Sequence, residues 1–364
     1  MVNSKILILM FLLFQSYDFH ISLNRKVLLH FYPSLSSSTA SISLINKNIS
    51  TVEHSTFTGL TSLQNLNLYK NQISSLDNRT FLDLTKLSKL KLFANKLTSI
   101  DSLIFSRLGA LTNLDLSLNQ IDSIHAHAFA SLTNLEYLHL YSNRLTSLNS
   151  TSLNQIDRLT FSRLFNLTHL SMGSNLLESL HADTFRNLSN LRNLILNHNK
   201  LTNLDASLFN YLARLEVLLL GHNQLTTIDS YPLTSLKKFY LNNNQIAHLY
   251  SDTFKHNLNL EVLDISDNKL ESLVPGLFSP LVKLKRIYLS SNRLVLINDG
   301  TFNGMSLIDE IHLDKNKITA IDADVFVGLT SLKNVFLGNN PILDTLDCFV
   351  SSLCGSNPFC QIID

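Results

Sequence analysis

The apolar residues of this chain recur at a fixed spacing over most of its length. From Leu63 they follow the pattern L-x-x-L-x-L-x-x-N-x-L-x-x-L-x-x-x-x-F-x-x-L, which starts again at Leu87. A weaker first copy starts near Thr39, where Lys47 takes the place of the Asn. With that copy the chain has thirteen units, and the remaining ones start at Leu111, Leu135, Leu167, Leu191, Leu215, Leu236, Leu260, Leu284, Ile308 and Leu332.

The L-x-L part of each unit alternates apolar and variable residues, which predicts a strand with one buried side. One unit is too small to bury its own apolar side chains, so neighbouring units are expected to stack and share a continuous core. The Phe fills the opposite side of each unit. The Asn carries two donor hydrogens and an acceptor, and we expect it to bond backbone groups where the chain turns away from the strand. This Asn ladder consists of Asn71, Asn95, Asn119, Asn143, Asn175, Asn199, Asn223, Asn244, Asn268, Asn292, Asn316 and Asn340.

Two units depart from the period, and both changes fall after the strand. The unit that starts at Leu135 is longer than the others, with the extra residues around positions 149–159. The unit that starts at Leu215 is shorter than the others and loses its Phe near Tyr231 and Pro232. Tolerated loop variation on the outer side accounts for both changes. A local change of curvature that divides the strand surface is the alternative.

The repeating unit resembles the typical class of leucine-rich repeat found in secreted and cell-surface animal proteins, such as Toll-like receptors, Slit and hormone-receptor ectodomains. The resemblance covers about residues 39–342 and implies an α/β fold. That fold is a right-handed horseshoe-shaped solenoid of about thirteen repeats, with a concave parallel β-sheet, convex loops and short helical turns. It also implies protein recognition, the commonest activity of such proteins, without fixing a partner.

The segments outside the repeats have different expected roles. Residues 1–18 form a predicted signal peptide, because Lys5 precedes the apolar run 6–14, which is too short to span a bilayer. Residues 19–38 form a cysteine-free N-terminal flank or cap, in which the apolar run 27–31 before Pro33 could cover the first unit. No later stretch is apolar enough to span a membrane after removal of the signal.

Residues 343–364 resemble a reduced C-terminal cap and contain the three cysteines of the chain, Cys348, Cys354 and Cys360. In a secreted chain, three cysteines leave one unpaired or free for an intermolecular disulfide, which would favour a homo-oligomer. Their spacing does not select the pair.

Composition and motifs exclude several function classes. A formal net charge of +1 over 364 residues removes bulk attraction to nucleic acid or anionic membranes as a default function. The chain has no phosphate loop, nucleophile elbow, metalloprotease helix or dinucleotide fingerprint. His125 and His127 lie two positions apart on the outer surface and are interpreted as exposed histidines rather than as a metal site. We therefore expect no catalysis, no cofactor and no metal.

In a secreted chain, Asn-x-Ser/Thr triplets are acceptors for N-glycans. All five lie before Leu191, which leaves the C-terminal half without such sites. The triplets start at Asn48, Asn78, Asn149, Asn166 and Asn187.

The residues that flank the buried leucines should face the concave sheet, where equivalent positions in neighbouring units lie ~4.8 Å apart. Thirteen strands then make a surface on the order of 60 Å long. Aromatic, histidine and apolar residues concentrate in the middle of this surface, and Lys238, Tyr240, Arg286 and Tyr288 form a competing basic and aromatic set. The candidate ligand-binding residues are Tyr137, His139, Tyr141, His169, Ile195, His198, Val217, Leu219, His222, Tyr240 and Tyr288.

Two functional hypotheses follow. The first is a secreted glycoprotein that binds a protein ligand or cell-surface protein through its concave face, in adhesion, matrix assembly or ligand capture. The alternative is an ectodomain fragment or soluble form of a leucine-rich repeat signalling receptor at the cell surface. An apolar run of about 20 residues downstream in the complete transcript would favour the receptor.

Overall fold

The structure, a computed structural model, describes residues 20–146, 159–345 and 361–363. The predicted signal peptide, Asn149 and the three cysteines lie outside the described residues. The described units stack into a solenoid with one parallel sheet of 14 strands, so the predicted leucine-rich repeat architecture is confirmed. In sheet order the strands are β2 Ser41–Ser43, β4 Asn65–Asn67, β5 Lys89–Lys91, β7 Asn113–Asp115, β9 Tyr137–His139, β10 His169–Ser171, β11 Asn193–Ile195, β12 Val217–Leu219, β13 Lys238–Tyr240, β14 Val262–Asp264, β15 Arg286–Tyr288, β17 Glu310–His312, β19 Asn334–Phe336 and β20 Gln361–Ile363.

Short elements lie outside this sheet. Six short strands form three parallel pairs: β1 Ile21–Leu23 with β3 Ile49–Val52, β6 Ser99–Ile100 with β8 Ser123–Ile124, and β16 Leu296–Ile297 with β18 Ala320–Ile321. Helix α1 spans Arg25–Phe31, and 3-10 helices span Ala206–Phe209 and Pro341–Thr345.

The core is built from the same positions in every unit. The central residue of each three-residue strand of the sheet from β2 to β19 is buried, and the residues on either side of it face the concave surface. The phenylalanines stack behind the leucines from unit to unit, with ring centroids of Phe57 and Phe81 6.4 Å apart and those of Phe278 and Phe302 6.2 Å apart. Apolar burial of this kind is the main stabilising contribution to a repeat protein.

The short unit from Leu215 lacks the Phe, but it keeps an aromatic residue at that place. Tyr231 is buried, and its ring centroid lies 4.5 Å from that of Phe209 and 6.2 Å from that of Phe239. Tyr231 therefore packs on the Phe of the preceding unit and on the buried central residue of strand β13. The Tyr231 hydroxyl has no hydrogen-bond partner among the described residues.

Each Asn of the ladder links two units by hydrogen bonds. The Asn199 amide donates to the carbonyls of Leu196 at 2.9 Å and Met172 at 3.1 Å, and its oxygen accepts from the amide of Leu177 at 3.0 Å. The residue before each ladder Asn has a positive φ, for example 54° at His198. This left-handed residue turns the chain off the strand and directs the next side chain inward. Carbonyls that leave the sheet at the turn are thereby satisfied.

The N-terminal flank folds against the first unit without cysteines. Asn24 caps α1, since its side-chain oxygen accepts from the amide of Val27 at 3.0 Å. Leu28 is buried in the common core, and Phe31 packs against that core. The Tyr32 hydroxyl donates to the carbonyl of Ser43 at 2.8 Å and accepts from the amide of the same residue at 2.6 Å. It thus satisfies the outward-facing backbone of edge strand β2.

Candidate recognition surface

The concave sheet carries two rows of side chains that run across the strands. Because the strands pair in register without shifts, the first residues of all strands form one row and the third residues another. We call the latter the third-residue row. From β9 to β20 it consists of His139, Ser171, Ile195, Leu219, Tyr240, Asp264, Tyr288, His312, Phe336 and Ile363.

The structure brings most of the sequence-predicted central residues together. We call Tyr137, His139, Tyr141, His169, Ile195, His198, Val217, Leu219 and His222 the central strip. In it, the rings of Tyr137 and His169 stack with centroids 4.5 Å apart, and Ile195 pairs with Leu219 across β11 and β12. All members are half-buried or exposed, so their side chains form surface rather than core. Ser171, which separates His139 from Ile195 in the row, is buried.

The competing basic and aromatic set is not a separate site. Leu219 of the central strip lies directly opposite Tyr240 in the pairing of β12 with β13. Tyr288 follows two strands later, after Asp264. The two sets therefore form one continuous surface.

An aromatic stack at the C-terminal end of the sheet extends from the sequence-predicted Tyr288 to His312 and Phe336, which were not among the candidate ligand-binding residues. The His312 ring lies between Tyr288 and Phe336, with centroids 4.4 Å and 4.1 Å away, respectively. His312 Nε2 is 3.5 Å from a carboxylate oxygen of Glu310 and has no hydrogen-bond partner among the described residues. The sequence signal for this stack is the recurrence of an aromatic residue at the same position of three consecutive units.

Two histidines of the central strip, His169 and His198, have lowered pKa values. Burial lowers the pKa of His169, and the nearby His139 and Arg192 lower it further. The His169 ring also shares a 2.8 Å hydrogen bond with the Thr168 hydroxyl through Nδ1. Burial, followed by the proximity of His222, lowers the pKa of His198. At neutral pH the uncharged form of these two rings is therefore favoured.

From β11 to β19 the residue just before each strand of the sheet is charged and lies at the rim. There Lys237 and Arg192 both bond Glu216, and Lys285 bonds Glu261 at 2.8 Å. Hydrogen bonds from Lys237 and then from Arg192 lower the pKa of the Glu216 carboxyl. Over these seven strands the sign of the charge alternates from unit to unit, so neighbouring residues can pair. The sequence shows this alternation once the units are aligned.

Comparison with known proteins identifies the family. Matches to the family model described as Leucine rich repeat cover residues 37–97, 87–145, 147–201, 189–246, 234–294 and 283–342. The chain belongs to the leucine-rich repeat family. A comparison with curated proteins finds no match.

Solved structures of other leucine-rich repeat proteins have the same architecture. A leucine-rich repeat protein of Leptospira interrogans is 26% identical with a TM-score of 0.74, over 87% of this chain and 76% of that one. A chain of the Drosophila Toll–Spatzle complex is 25% identical with a TM-score of 0.73, over 82% of this chain and 40% of that one. A chain of the octameric complex of Latrophilin 3, Unc5D and FLRT2 is 26% identical with a TM-score of 0.63, over 72% of this chain and 78% of that one.

In this leucine-rich repeat protein the His125–His127 pair has a structural role. The Nδ1 atom of His125 accepts a hydrogen bond of 3.1 Å from the backbone amide of His127. In two other units, Asp77 and Asp205 stand at the equivalent position. The carboxylate of each accepts a 2.8 Å hydrogen bond from the backbone amide of the residue two positions later in the chain. His125 therefore replaces an Asp at the start of a turn. Across residues 20–146, 159–345 and 361–363, no group of three or more His, Cys, Asp or Glu residues could hold a metal ion.

The glycan-acceptor triplets of the described part occupy different environments. Asn78 is exposed, and Asn48 is half-buried. Asn166 and Asn187 are exposed, and their side-chain nitrogens donate to the carbonyls of Thr133 at 2.9 Å and Ser162 at 2.8 Å. Of the helices that the structure describes, none is long and apolar enough to cross a membrane.

Proposed function

We propose that this leucine-rich repeat protein is a secreted, non-enzymatic recognition module that binds a protein partner through its concave face. The observation that carries the proposal is the central strip, where half-buried apolar side chains and stacked aromatic rings lie on adjacent strands without intervening charge. A contiguous apolar set on the surface of a sheet is typical of a contact site. The free-energy cost of removing water from such an apolar surface is smaller than the cost of removing it from unpaired charges.

The types of residue in the strip support protein recognition. Tyr137 and Tyr141 supply large rings with a polar end, the kind of side chain that dominates interface energetics. Ile195, Val217 and Leu219 supply the apolar centre. The histidine rings add flat aromatic surface.

Similar proteins support the same proposal. The Drosophila structure is a complex of Toll with Spatzle, and FLRT2 is seen in an assembly with Latrophilin 3 and Unc5D. These partners are properties of those proteins. They indicate that surfaces on this architecture bind other proteins, and they motivate the search for a protein ligand here.

Secretion and N-glycosylation are the second part of the proposal and have their own test. We expect the extracellular protein to begin near positions 17–19 and to lose apparent mass on enzymatic removal of N-glycans. Recovery of intact Met1 in a cytosolic fraction would contradict this part. The acceptor residues are Asn48, Asn78, Asn149, Asn166 and Asn187.

The binding site is tested with a partner identified by proximity labelling of the secreted protein on intact tissue. Two double variants are compared in a binding assay, Tyr137→Ala with Leu219→Asp and Tyr240→Ala with Tyr288→Ala. We expect the first pair to weaken binding by about tenfold or more, which corresponds to ~1.4 kcal/mol. If the first pair leaves affinity unchanged and the second abolishes it, the assignment to the central strip is wrong.

A further inference from the structure

We propose that the concave face seats an amphipathic α-helix of the protein partner along the third-residue row. Its apolar stripe lies on Ile195, Leu219, Tyr240 and Tyr288, with acidic residues beside Lys238 and Arg286. This inference rests on the proposed function and adds the conformation and charge pattern of the segment that binds.

The composition of the row is the first argument. From Ile195 to Ile363 it contains apolar or aromatic residues on seven strands and a single carboxylate, Asp264. These side chains are half-buried against one another and keep one open side. A partner that fits this row must present apolar groups in a line across the strands.

The spacing of the row selects a helix over an extended segment. Adjacent strands lie ~4.8 Å apart, and a helix places one stripe residue per turn at intervals of about 5.4 Å. Over four turns this mismatch adds up to only about 2.4 Å. An extended chain places side chains on one face every ~6.8 Å. Each such step would add about 2 Å of mismatch with the strand spacing, which reaches about 4 Å after two steps.

The positions beside the row leave room for a helix. Two positions after each of the strands β10 to β13, this surface carries small or flat side chains, which are Gly173, Asn197, Gly221 and Asn242. A Cβ atom at Gly173 would lie 2.6 Å from the side-chain oxygen of Asn197, so the asparagine side chain lies flat over the glycine. Asn242 covers Gly221 in the same way. No large side chain therefore projects from the sheet at these four positions, and a helix of about 10 Å diameter can approach the third-residue row.

Charge complementarity gives the orientation of the helix around its own axis. Lys238 and Arg286 are the first residues of β13 and β15, and they flank the third-residue row on the side opposite the glycines. Both side chains are exposed. Among the described residues, neither has a carboxylate within ion-pair distance. Acidic residues on that flank of the helix would pair with them. Between them, the Asp264 carboxylate already accepts hydrogen bonds from the amide of Ser266 at 3.0 Å and its hydroxyl at 2.6 Å. A polar or basic residue of the helix fits opposite it.

The test uses the full chain and a designed, fluorophore-labelled probe helix of about 20 residues, a length of roughly 30 Å. The probe carries leucines along one stripe, glutamates along one flank of that stripe and one lysine in the middle. A first control peptide has the same sequence with a central proline, which breaks the helix. A second control has the same composition in shuffled order. Binding is measured by fluorescence anisotropy at neutral pH.

We expect the probe helix to bind and the proline and shuffled peptides to bind at least about tenfold more weakly. Leu219→Asp should weaken the probe by about tenfold, whereas Leu103→Asp, which changes an exposed leucine in the turn after β6, should not. Equal binding of the proline peptide, no effect of Leu219→Asp, or no binding of the probe would overturn the inference.

The same variants separate this inference from the proposed function. If the natural partner loses affinity for Leu219→Asp while the probe helix does not bind, the concave site stands and the helix is wrong. If the partner binds Leu219→Asp and Tyr137→Ala as tightly as the unmodified chain, the proposed function itself fails.

Discussion

The imidazole rings of His198 and His222 stack face to face, with centroids 4.0 Å apart and planes inclined by 10°. Both residues occupy the left-handed position before a ladder Asn, with φ of 54° and 56°. The shared backbone geometry of adjacent units therefore fixes the stack. Two protonated rings at this distance would repel each other, so the stack is stable only while at least one ring is neutral.

This stack predicts a pH dependence of stability. Burial and the proximity of His222 lower the pKa of His198 below its value in the unfolded chain, about 6.5. Its contribution to stability is thus complete above about pH 6.5 and is lost as the pH falls through the lower folded pKa. We expect the drop in melting temperature between pH 7.5 and pH 5 to be smaller in His198→Asn. Asn243 occupies the same backbone position two units later, so asparagine fits there. An unchanged drop would contradict this account.

The Asn ladder predicts a large effect of a nearly isosteric change. Asn199→Leu removes four hydrogen bonds and leaves the amide of Leu177 and the carbonyl of Met172 without these partners. We expect a loss of roughly 1–3 kcal/mol in the free energy of unfolding, measured by chemical denaturation. The control is Asn193→Leu on the concave surface, which should change it by less than about 0.5 kcal/mol. Equal effects of both variants would contradict a structural role of the ladder.

The buried hydroxyl of Tyr231 predicts a stabilising substitution. Burial raises the pKa of this tyrosine, and its hydroxyl has no hydrogen-bond partner among the described residues. Tyr231→Phe restores the residue type of the other units and removes an unpaired polar group, so we expect a gain of about 1 kcal/mol. Denaturation midpoints of the two proteins provide the measurement. A loss of stability would show that the hydroxyl has a role that the structure does not reveal.

The contact between Tyr32 and Ser43 predicts a change in association. Tyr32→Phe removes both hydrogen bonds to the outward-facing backbone of β2 and leaves an edge strand that can pair with another chain. We expect higher-order species in sedimentation velocity at concentrations where the unmodified protein has none. Tyr250→Phe, at a position that is 60% exposed, is the control. If both variants sediment like the unmodified chain, Tyr32 does not protect the edge.

Much of the fold could be predicted from the sequence because, in a repeat protein, residues at equivalent positions of neighbouring units lie side by side in the structure. Once the units are aligned, Leu194 must lie beside Leu170 and Leu218, and the structure places it there. The same argument brings Ile195 next to Leu219. Alignment alone also gives the alternating charges at the rim, as the pair of Arg192 and Glu216 shows.

Features that depend on one unit could not be predicted in this way. The short unit breaks the alignment, so the role of Tyr231 as the replacement for the missing Phe became apparent only from its packing on Phe209. Tyr32 contacts Ser43 because α1 docks on the first unit, and no repeat specifies that docking. His125 accepts a backbone bond in place of an Asp, an exchange of residue type that the apolar pattern does not detect.

Recognition through the concave face is the central claim, and one comparison of dissociation constants tests it most directly. The partner identified by proximity labelling is titrated against the unmodified chain, Leu219→Asp and Leu103→Asp under the same conditions. Both variants add one carboxylate in place of a leucine, one on the concave sheet and one at a position 52% exposed in a turn outside it. We expect Leu219→Asp to raise the dissociation constant by about tenfold or more and Leu103→Asp to leave it unchanged. Equal affinity of the partner for Leu219→Asp and the unmodified chain, with a loss for Leu103→Asp, would contradict the claim.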